Sequence, residues 1–340
     1  MIRPALLCAA LAAVLASSAA TAASRSWALP QIKVVTAKGL MGGTTSGFRP
    51  DDPLTQGELA DLVQGLGGKP VSTPADPGAP ATLGQLDAQL VRGLGLLSVA
   101  RDFTAAARAA GLAPRSGFGT EVVARLLGLR VNHPTSEDDL ELRPTDPATR
   151  AEAAYSAARV LAFTGGEVDY VKSLATTFQL PSLTGLQRDV VQTAISLVGY
   201  PYVWGGTSER PQDPFATGKQ VPGGFDCSGF VWRVYKLQAY AGAEALGATI
   251  KGRSTYAMSA EVKRPQRIPL ARLEPGDLLF FGAHGPRSKP AEIDHAGIYL
   301  GNGWFVQSSE QGVALSTLTS AWYAARFAWA RRPLAEAGLA

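Results

Sequence analysis

The pattern of apolar and polar positions divides the chain into a helical first part and a mixed second part. Two segments of the first part, FRPDDPLTQGELA at 48–60 and LRPTDPATRAEAA at 142–154, share the frame R-P-x-D-P-x-T-x-x-E before apolar positions at helical spacing. In this frame proline fixes the loop, Thr caps a helix, and Glu three residues later closes a capping box. A weaker copy begins at residues 80–82, with Gln85 at the box position. The pattern predicts helix–loop–helix repeats over residues 30–162.

The second part combines helical spacing with several short apolar runs. Helical spacing marks residues 189–199 and the residues that follow Cys227. Short strands separated by turns are predicted at 277–281, 295–300, 304–307 and 313–315. Glycine and proline punctuate residues 163–187, which predicts a linker, and the proline-rich residues 207–222 predict a loop. We therefore expect an all-α domain of repeats and then an α+β domain at 188–333, in which a helix bearing the cysteine packs on an antiparallel sheet.

The first residues of the chain have the features of a cleaved secretory signal. Arg3 precedes an apolar run at 5–16, which is followed by small residues that end in Ala-Thr-Ala-Ala at 20–23. The run is too short to span a bilayer comfortably, since spanning takes about 20 apolar residues. We expect residues 1–23 to be removed together with Cys8, and no later stretch has the pattern of a transmembrane segment. The protein is therefore predicted to be secreted.

Removal of the signal leaves Cys227 as the one remaining cysteine of the two in the chain. A lone thiol in an exported protein cannot form an internal disulfide, so it is either an inert buried residue or a reactive one, and by count alone the inert reading is favoured. Its flanks favour reactivity, because residues 223–226 place it at the start of a helix. There the helix dipole lowers a thiol pKa, and the Cys227 N–H can stabilise an oxyanion.

A nucleophilic thiol needs a base, and the chain contains three histidines. His133 lies in the repeat region and His284 in a loop, whereas His295 stands at the start of a strand, from which an imidazole can be aimed. Gln307, on the next strand across a tight turn, can orient that imidazole through its amide oxygen. The alternative is that Gln307 is only a polar residue on a half-exposed strand. From the residues alone, that alternative is favoured.

Four segments in this order resemble the NlpC-type peptidoglycan endopeptidases, papain-like enzymes of bacterial envelopes. The segments are YPYVWGGTS, GFDCSGFVWRVY, LEPGDLLFFG and DHAGIYLGNGWFVQSS. The resemblance covers about residues 187–333. It implies a papain-like catalytic domain that hydrolyses the amide between D-isoglutamate and a diamino acid, usually meso-diaminopimelate, in the stem peptide of the cell wall.

The resemblance also implies roles for individual residues. Cys227 is expected to be the nucleophile, His295 the base and Gln307 the third polar residue. Residues at the positions that line the family's substrate pocket are Tyr202, Asp226, Ser228 and Thr255. Two of these roles have equal alternatives, since Tyr202 can be a core aromatic and Asp226 can be only a helix cap. If the pocket binds stem peptides that lack glycan, Asp226 is expected to pair with their free amine.

The chain departs from the family pattern at three places. Gln307 stands where the third polar residue is most often His, although a neutral amide can still fix the histidine tautomer. Met258 stands where Gln is frequent, and the loop at 207–222 is longer than usual before the cysteine. This loop can narrow the cleft and restrict the peptides that enter.

The frame of the first part resembles the S-layer homology repeat, a helix–loop–helix module that usually occurs in about three copies. The resemblance covers roughly residues 30–162 and implies an anchor for cell-wall polysaccharide. The alternative is that separate helices share good capping residues. The net charge of +4 and pI of about 9.1, without a Lys/Arg cluster, favour an anionic wall polymer over nucleic acid as partner, although a chance surface bias explains the charge equally well.

Three functions stay open on these grounds. The first is a wall-anchored hydrolase with a Cys-His-Gln site. The second is a wall-binding protein whose peptidase fold is weak or inactive, which the glutamine supports. The third keeps the nucleophile but carries out acyl transfer or cuts another amide. No cofactor or metal site is expected, because the cysteine and histidines lack the spacing of a ligand cluster.

Overall fold

The computed structural model describes residues 24–68, 73–213 and 218–339. The predicted signal peptide at 1–23, with Cys8, lies outside these residues. The described α-helices, in chain order, are α1 (Leu29–Ala37), α2 (Gln56–Gly65), α3 (Leu83–Gly93), α4 (Leu97–Ala109), α5 (Phe118–Leu126), α6 (Arg150–Leu161), α7 (Gly166–Thr177), α8 (Gly185–Ser196), α9 (Cys227–Trp232), α10 (Leu246–Thr249), α11 (Thr255–Ala260), α12 (Ala321–Arg326) and α13 (Pro333–Glu336). Within these ranges, none of the helices is both long and apolar enough to cross a membrane.

The described strands are short and lie in the second part of the chain. In order they are β1 (Thr207–Ser208), β2 (Gly224–Phe225), β3 (Leu278–Gly282), β4 (Ile293–Gly301), β5 (Trp304–Ser309), β6 (Gly312–Thr317) and β7 (Phe327–Arg331). β1 and β2 form a small antiparallel pair. The other described strands form an antiparallel sheet in the order β6-β5-β4-β3-β7.

The described residues divide into two compact units. The first unit comprises the residues up to Leu97 together with Leu127–Val131 and Pro144–Asp169. The second comprises Ser98–Leu126, Asn132–Arg143 and the chain from Tyr170 onwards. The second unit therefore takes in α4 and α5, which lie inside the range assigned to the repeats from the sequence. The domain boundaries given above stay a prediction.

In the first unit, capping threonines begin the helices of the repeats as predicted. The side chains of Thr55, Thr82 and Thr149 each accept a hydrogen bond from the backbone N–H three residues later, at the starts of α2, α3 and α6. Full capping boxes are present at Thr55 and Thr82. The box predicted for the weaker middle copy is thereby confirmed.

The segments before these threonines bind one another in a closed ring. The Leu54 N–H donates to the Ala148 carbonyl, the Ala148 N–H to the Ala81 carbonyl, and the Ala81 N–H to the Leu54 carbonyl, each at 2.8 Å. All three residues are fully buried. Such a ring satisfies the backbone groups of three buried loop segments without a sheet. The three copies therefore pack as equivalent elements.

In the second unit, a sheet covered on both faces carries the site. Every residue of β3 and of β7 is buried, so neither strand alternates between buried and exposed positions. One apolar cluster contains Leu279, Phe281, Tyr299, Phe305, Leu318, Phe327 and Ala330. Helix α9 packs against β4 and β5. The expected α+β fold, with the cysteine helix on an antiparallel sheet, is confirmed.

Strand β7 and helix α7 are among the elements that were missed from the sequence. Strand β7 has the sequence FAWAR, in which burial of all five side chains leaves no alternation to detect. Residues 163–187, predicted to be a linker, contain helix α7, whose buried Val171, Leu174 and Ala175 follow helical spacing. The glycines at its start led to the expectation of a connector.

Candidate active site

Helix α9 and strands β1, β2 and β5 hold the backbone around Cys227 in place. It is the first residue of α9, and Asp226 caps the helix by accepting the Gly229 N–H. The two residues before Asp226 form β2, which pairs with β1. From β5, the Ser308 hydroxyl donates to the Phe225 carbonyl at 2.6 Å. The position of the thiol is therefore fixed from both the small strand pair and the main sheet.

The thiol of Cys227 faces strand β4 next to His295. Its Sγ lies 3.9 Å from the carbonyl oxygen of Asp294, and the Ala296 N–H hydrogen-bonds to the thiolate form. His295 lies between these two residues and lines the same cleft as Cys227. The cleft has a volume of about 570 Å³. That volume is in the range of sites that enclose a small ligand or a short peptide segment.

Aromatic rings surround the imidazole of His295, which is 8% exposed. The ring centroids of Phe281, Trp322 and Tyr323 lie 5.7, 6.1 and 6.1 Å from that of the imidazole. Trp322 is half exposed at the cleft, and the Arg326 guanidinium stacks on its ring at 4.6 Å. These rings give the imidazole a largely apolar surrounding.

Burial controls the ionisation of the two groups. It raises the pKa of the Cys227 thiol to about 12, with the Asp226 charge acting in the same direction. It lowers the pKa of His295 to about 4, against the opposing effects of Asp294 and Gln307. We expected the helix start to lower the pKa of the Cys227 thiol. That expectation is wrong for the protein without a bound peptide, because burial outweighs the N–H groups that favour the thiolate. These two pKa shifts predict that the resting pair is a neutral thiol and a neutral imidazole.

Gln307 lies beside His295 on the neighbouring strand. Gln307 of β5 is opposite Gly297 of β4, and His295 is two residues before Gly297, so both side chains project from the same face. Gln307 is 1% exposed, and its amide raises the pKa of His295 because it favours the charged imidazole beside it. Among the described residues, His295 Nε2 and Gln307 Oε1 are buried and neither reaches good hydrogen-bond geometry with any group.

Asp226 and Ser228, two predicted pocket residues, form a closed polar cluster with Arg253. Ser228 Oγ donates to Asp226 Oδ1 at 2.9 Å, and Arg253 Nη1 donates to both residues, at 3.2 Å to Asp226 and 2.6 Å to Ser228. Asp226 Oδ2 accepts from the Gly205 N–H at 2.9 Å and from Arg253 Nη2 at 3.2 Å. Both carboxylate oxygens therefore already have donors. No sequence motif marks Arg253 as this partner.

The other two predicted pocket residues differ in position. Tyr202 lines the cleft with Cys227, and burial raises the pKa of its phenol. Thr255 is buried, and its hydroxyl donates to the Ile293 carbonyl at 2.9 Å, which ties α11 to β4. The pocket roles of all four residues stay predictions.

The two remaining histidines are not placed with the thiol. His284 is exposed and pairs with Glu292, and His133 is buried beside Glu137. Trp322 and Tyr323 of α12 were missed as cleft residues, as were Ser309 and Ser316. No sequence motif marks them, because they meet the site only through the pairing of β5 with β6 and the packing of α12.

A partly buried cysteine at a helix start, packed on an antiparallel sheet whose strand presents a histidine to it, defines a papain-like cysteine peptidase fold. Residues 199–332 match the family model of the NlpC/P60 family, and residues 22–60 match that of the S-layer homology domain. The chain therefore contains an NlpC/P60 domain and an S-layer homology domain.

Curated relatives share the NlpC/P60 part of the chain. The gamma-D-glutamyl-L-lysine dipeptidyl-peptidase of Bacillus subtilis is 30% identical over 135 residues, which cover 40% of this chain and 36% of that protein. The probable peptidoglycan endopeptidase LytE of Bacillus subtilis is 33% identical over 143 residues, covering 42% and 33%. The murein DD-endopeptidase MepH of Escherichia coli is 31% identical over 139 residues, covering 40% and 41%. The chain thus spans about a third of the length of the first two.

Among solved structures, an NlpC/P60 family protein from Bacillus cereus is 27% identical. The match covers 46% of this chain and 42% of that chain, with a TM-score of 0.33.

Proposed function

We propose that this protein is a secreted cell-wall hydrolase that cleaves the amide between D-isoglutamate and a diamino acid, with meso-diaminopimelate preferred, in peptidoglycan stem peptides. The observation that carries the proposal is the juxtaposition of Cys227 and His295 in a cleft of about 570 Å³. The NlpC/P60 match and relatives named for peptidoglycan endopeptidase activity support the substrate class. The names of the relatives refer to more than one kind of bond, so the choice of bond rests on the family resemblance.

The first half of the reaction forms a thioester. A bound peptide displaces water from the cleft, and the neutral imidazole of His295 takes the thiol proton as Sγ attacks the amide carbonyl. The carbonyl oxygen becomes an oxyanion, and its stabilisation is assigned to the Cys227 N–H at the start of α9. The tetrahedral intermediate then expels the amine of the diamino acid, which receives the proton from His295.

The second half restores the enzyme. Water enters after the amine leaves, and His295 takes a proton from it as the water oxygen attacks the thioester. The second tetrahedral intermediate expels the Cys227 thiolate, which recovers the proton from the imidazolium, and the D-isoglutamyl carboxylate departs. Gln307 holds the imidazole through both halves by accepting its second N–H, which is the role of the third residue in such a triad.

The predicted pocket residues divide into two groups in this proposal. Tyr202 lines the cleft and is assigned to contact the peptide. Asp226, Ser228 and Thr255 are assigned to shape the cleft from behind, because their side chains are bonded within the protein. In this arrangement, an incoming amine has to compete with Arg253 for Asp226.

The repeats are proposed to hold the protein on cell-wall polysaccharide after secretion. The S-layer homology match supports this role for the N-terminal region. A binding module linked to a cutting module raises the local concentration of substrate without a new contact at the active site. The repeats and the cleft would then act on the same wall.

Mass spectrometry of digested peptidoglycan tests the proposal. The protein without residues 1–23 is incubated with purified wall, and the soluble fragments are sequenced. Fragments that end in D-isoglutamate, with a matching new amine on the diamino acid, support it. Fragments cut at another amide or joined to an added amine indicate a different amidase or an acyltransferase. No fragments, with the protein still bound to insoluble wall, indicate a wall-binding protein.

A further inference from the structure

The side-chain amide of Gln307 has two orientations, related by exchange of its oxygen and nitrogen. Only one of them favours the tautomer in which His295 can act as the base. If Gln307 presents Oε1 to His295, it accepts the Nε2–H and leaves Nδ1 with the lone pair that a base needs. If it presents Nε2 instead, it donates to His295 Nε2 and favours the tautomer protonated at Nδ1. A glutamine in this place therefore needs partners that select one flip.

Two serine hydroxyls occupy the far side of the Gln307 amide. Gln307 Nε2 lies 3.1 Å from Ser309 Oγ and 3.1 Å from Ser316 Oγ, and it donates to both. Ser309 ends β5 and Ser316 lies on β6, so the pairing of these strands brings them to the same amide. With Nε2 turned to the serines, Oε1 is turned away from them and stays buried without a partner among the described residues.

Tyr323 determines whether the two serine hydroxyls donate a hydrogen bond to the Gln307 amide or accept one from it. Tyr323 is partly buried, and hydrogen bonding from Ser316 and Ser309 opposes the rise in the pKa of its phenol that burial causes. A serine that gives its proton to the phenol can only accept from the amide. The same Tyr323 ring packs 6.1 Å from the imidazole of His295. One side chain thus contacts both the base and the group that fixes the amide.

We propose that Ser309, Ser316 and Tyr323 are positioning residues that hold Gln307 in the flip that keeps His295 protonated at Nε2. They replace the rigidity that a histidine would provide at the third position. This inference rests on the proposed function only in taking His295 as the base. The tautomer itself is a property of the free protein and is measured without substrate.

The test is nitrogen NMR of the protein labelled with 15N-histidine, recorded at pH 7. The His295 signals are assigned by their loss in His295→Gln. We expect a single Nε2–H tautomer in the wild type and a mixture of tautomers in the double variant Ser309→Ala/Ser316→Ala. Tyr323→Phe is expected to give a mixture as well, and Ser316→Thr, which keeps the hydroxyl, is expected to keep the single tautomer. Thr319→Ala is the matched control, because Thr319 is exposed on the turn after β6 and bonds to Thr317.

Cleavage kinetics provide the second readout. The double variant is expected to lose roughly tenfold in kcat with KM little changed, since the loss concerns the base and not peptide binding. An unchanged single tautomer in both the double variant and Tyr323→Phe overturns the inference, as does an equal change in Thr319→Ala. If the tautomer shifts as expected while the wild type cuts no stem peptide, the inference stands and the proposed function fails. If the double variant does not fold, Tyr323→Phe and Ser316→Thr decide.

Discussion

Alkylation of Cys227 in the free protein tests whether the resting thiol is neutral. At pH 7.5 a thiol with a pKa of about 12 is ionised to roughly three parts in 100,000, whereas one with the ordinary pKa of 9.0 is ionised to roughly 3%. The thiolate fraction is therefore about a thousandfold smaller. A more basic thiolate is more nucleophilic, with a Brønsted slope of about 0.4–0.5, which restores a factor of roughly 15 to 30. The net expectation is alkylation roughly 30 to 60 times slower than that of an unfolded thiol.

The assay follows iodoacetamide labelling of the protein that lacks residues 1–23, from pH 6 to pH 10. Cys227 is the only cysteine of the described residues, so the label reports on one site. The reference is the same protein unfolded in urea. We expect the native rate to rise tenfold per pH unit across the range without a plateau.

The variant His295→Ala distinguishes a neutral pair of Cys227 thiol and His295 imidazole from a thiolate–imidazolium pair. In His295→Ala the rate is expected to change by less than about threefold if the resting pair is neutral. A native rate above the unfolded reference at pH 7.5, together with a drop of more than about tenfold in His295→Ala, would refute the reasoning. That result would mean that a thiolate–imidazolium pair forms in spite of burial.

Three further predictions follow from the same contacts. In the pH profile of kcat/KM for peptide cleavage, the acid limb is expected to be half-maximal near pH 4, because burial lowers the pKa of His295 from 6.5 to about 4 and acid removes the neutral imidazole. An acid limb near pH 6.5 contradicts this. Gly297→Ala is expected to destabilise the second unit by about 1–3 kcal/mol and to slow cleavage, because the new Cβ would lie 2.8 Å from Phe305 and 3.2 Å from Gln307; unchanged kinetics and melting count against it. Thr82→Ala is expected to cost about 1 kcal/mol, seen as roughly fivefold faster hydrogen exchange in α3 with cleavage unaffected.

Short-range sequence patterns explain which elements could be predicted from the sequence. The capping boxes depend on residues three apart, so Thr55 and Thr82 could be placed before any tertiary contact was known. The start of α9 at Cys227 and the position of His295 on β4 likewise depend on contiguous segments. These parts of the fold and of the candidate site were therefore predictable.

Long-range packing explains what could not be predicted. The guanidinium of Arg125 on α5 donates to the Gly199 carbonyl, 74 residues later, and such a contact places α5 in the second unit. Arg253 reaches Asp226 across 27 residues. The predicted lowering of the Cys227 thiol pKa was wrong for the same reason, because burial by residues distant in sequence outweighed the local effect of the helix start.

The loop at 207–222 is tied to the protein more firmly than its proline-rich sequence suggested. Gln212 Oε1 accepts the Thr207 N–H, and its Nε2 donates to the Gly224 carbonyl, each at 2.9 Å. Glu209 pairs with Arg233 through both carboxylate oxygens. The described part of the loop is thus held against the segment that precedes Cys227. Its proposed effect on peptide entry stays a prediction.

The rate of stem-peptide cleavage by Cys227→Ala tests the central claim most directly. Wild type and variant, both without residues 1–23, are compared on one defined stem peptide, and circular dichroism and thermal melting confirm that the variant is folded. We predict that the variant loses at least about a thousandfold in kcat/KM, since it lacks the thiol that forms the acyl intermediate, and that it still binds insoluble wall. Cleavage retained within about tenfold of the wild type would contradict the assignment of Cys227 as the nucleophile.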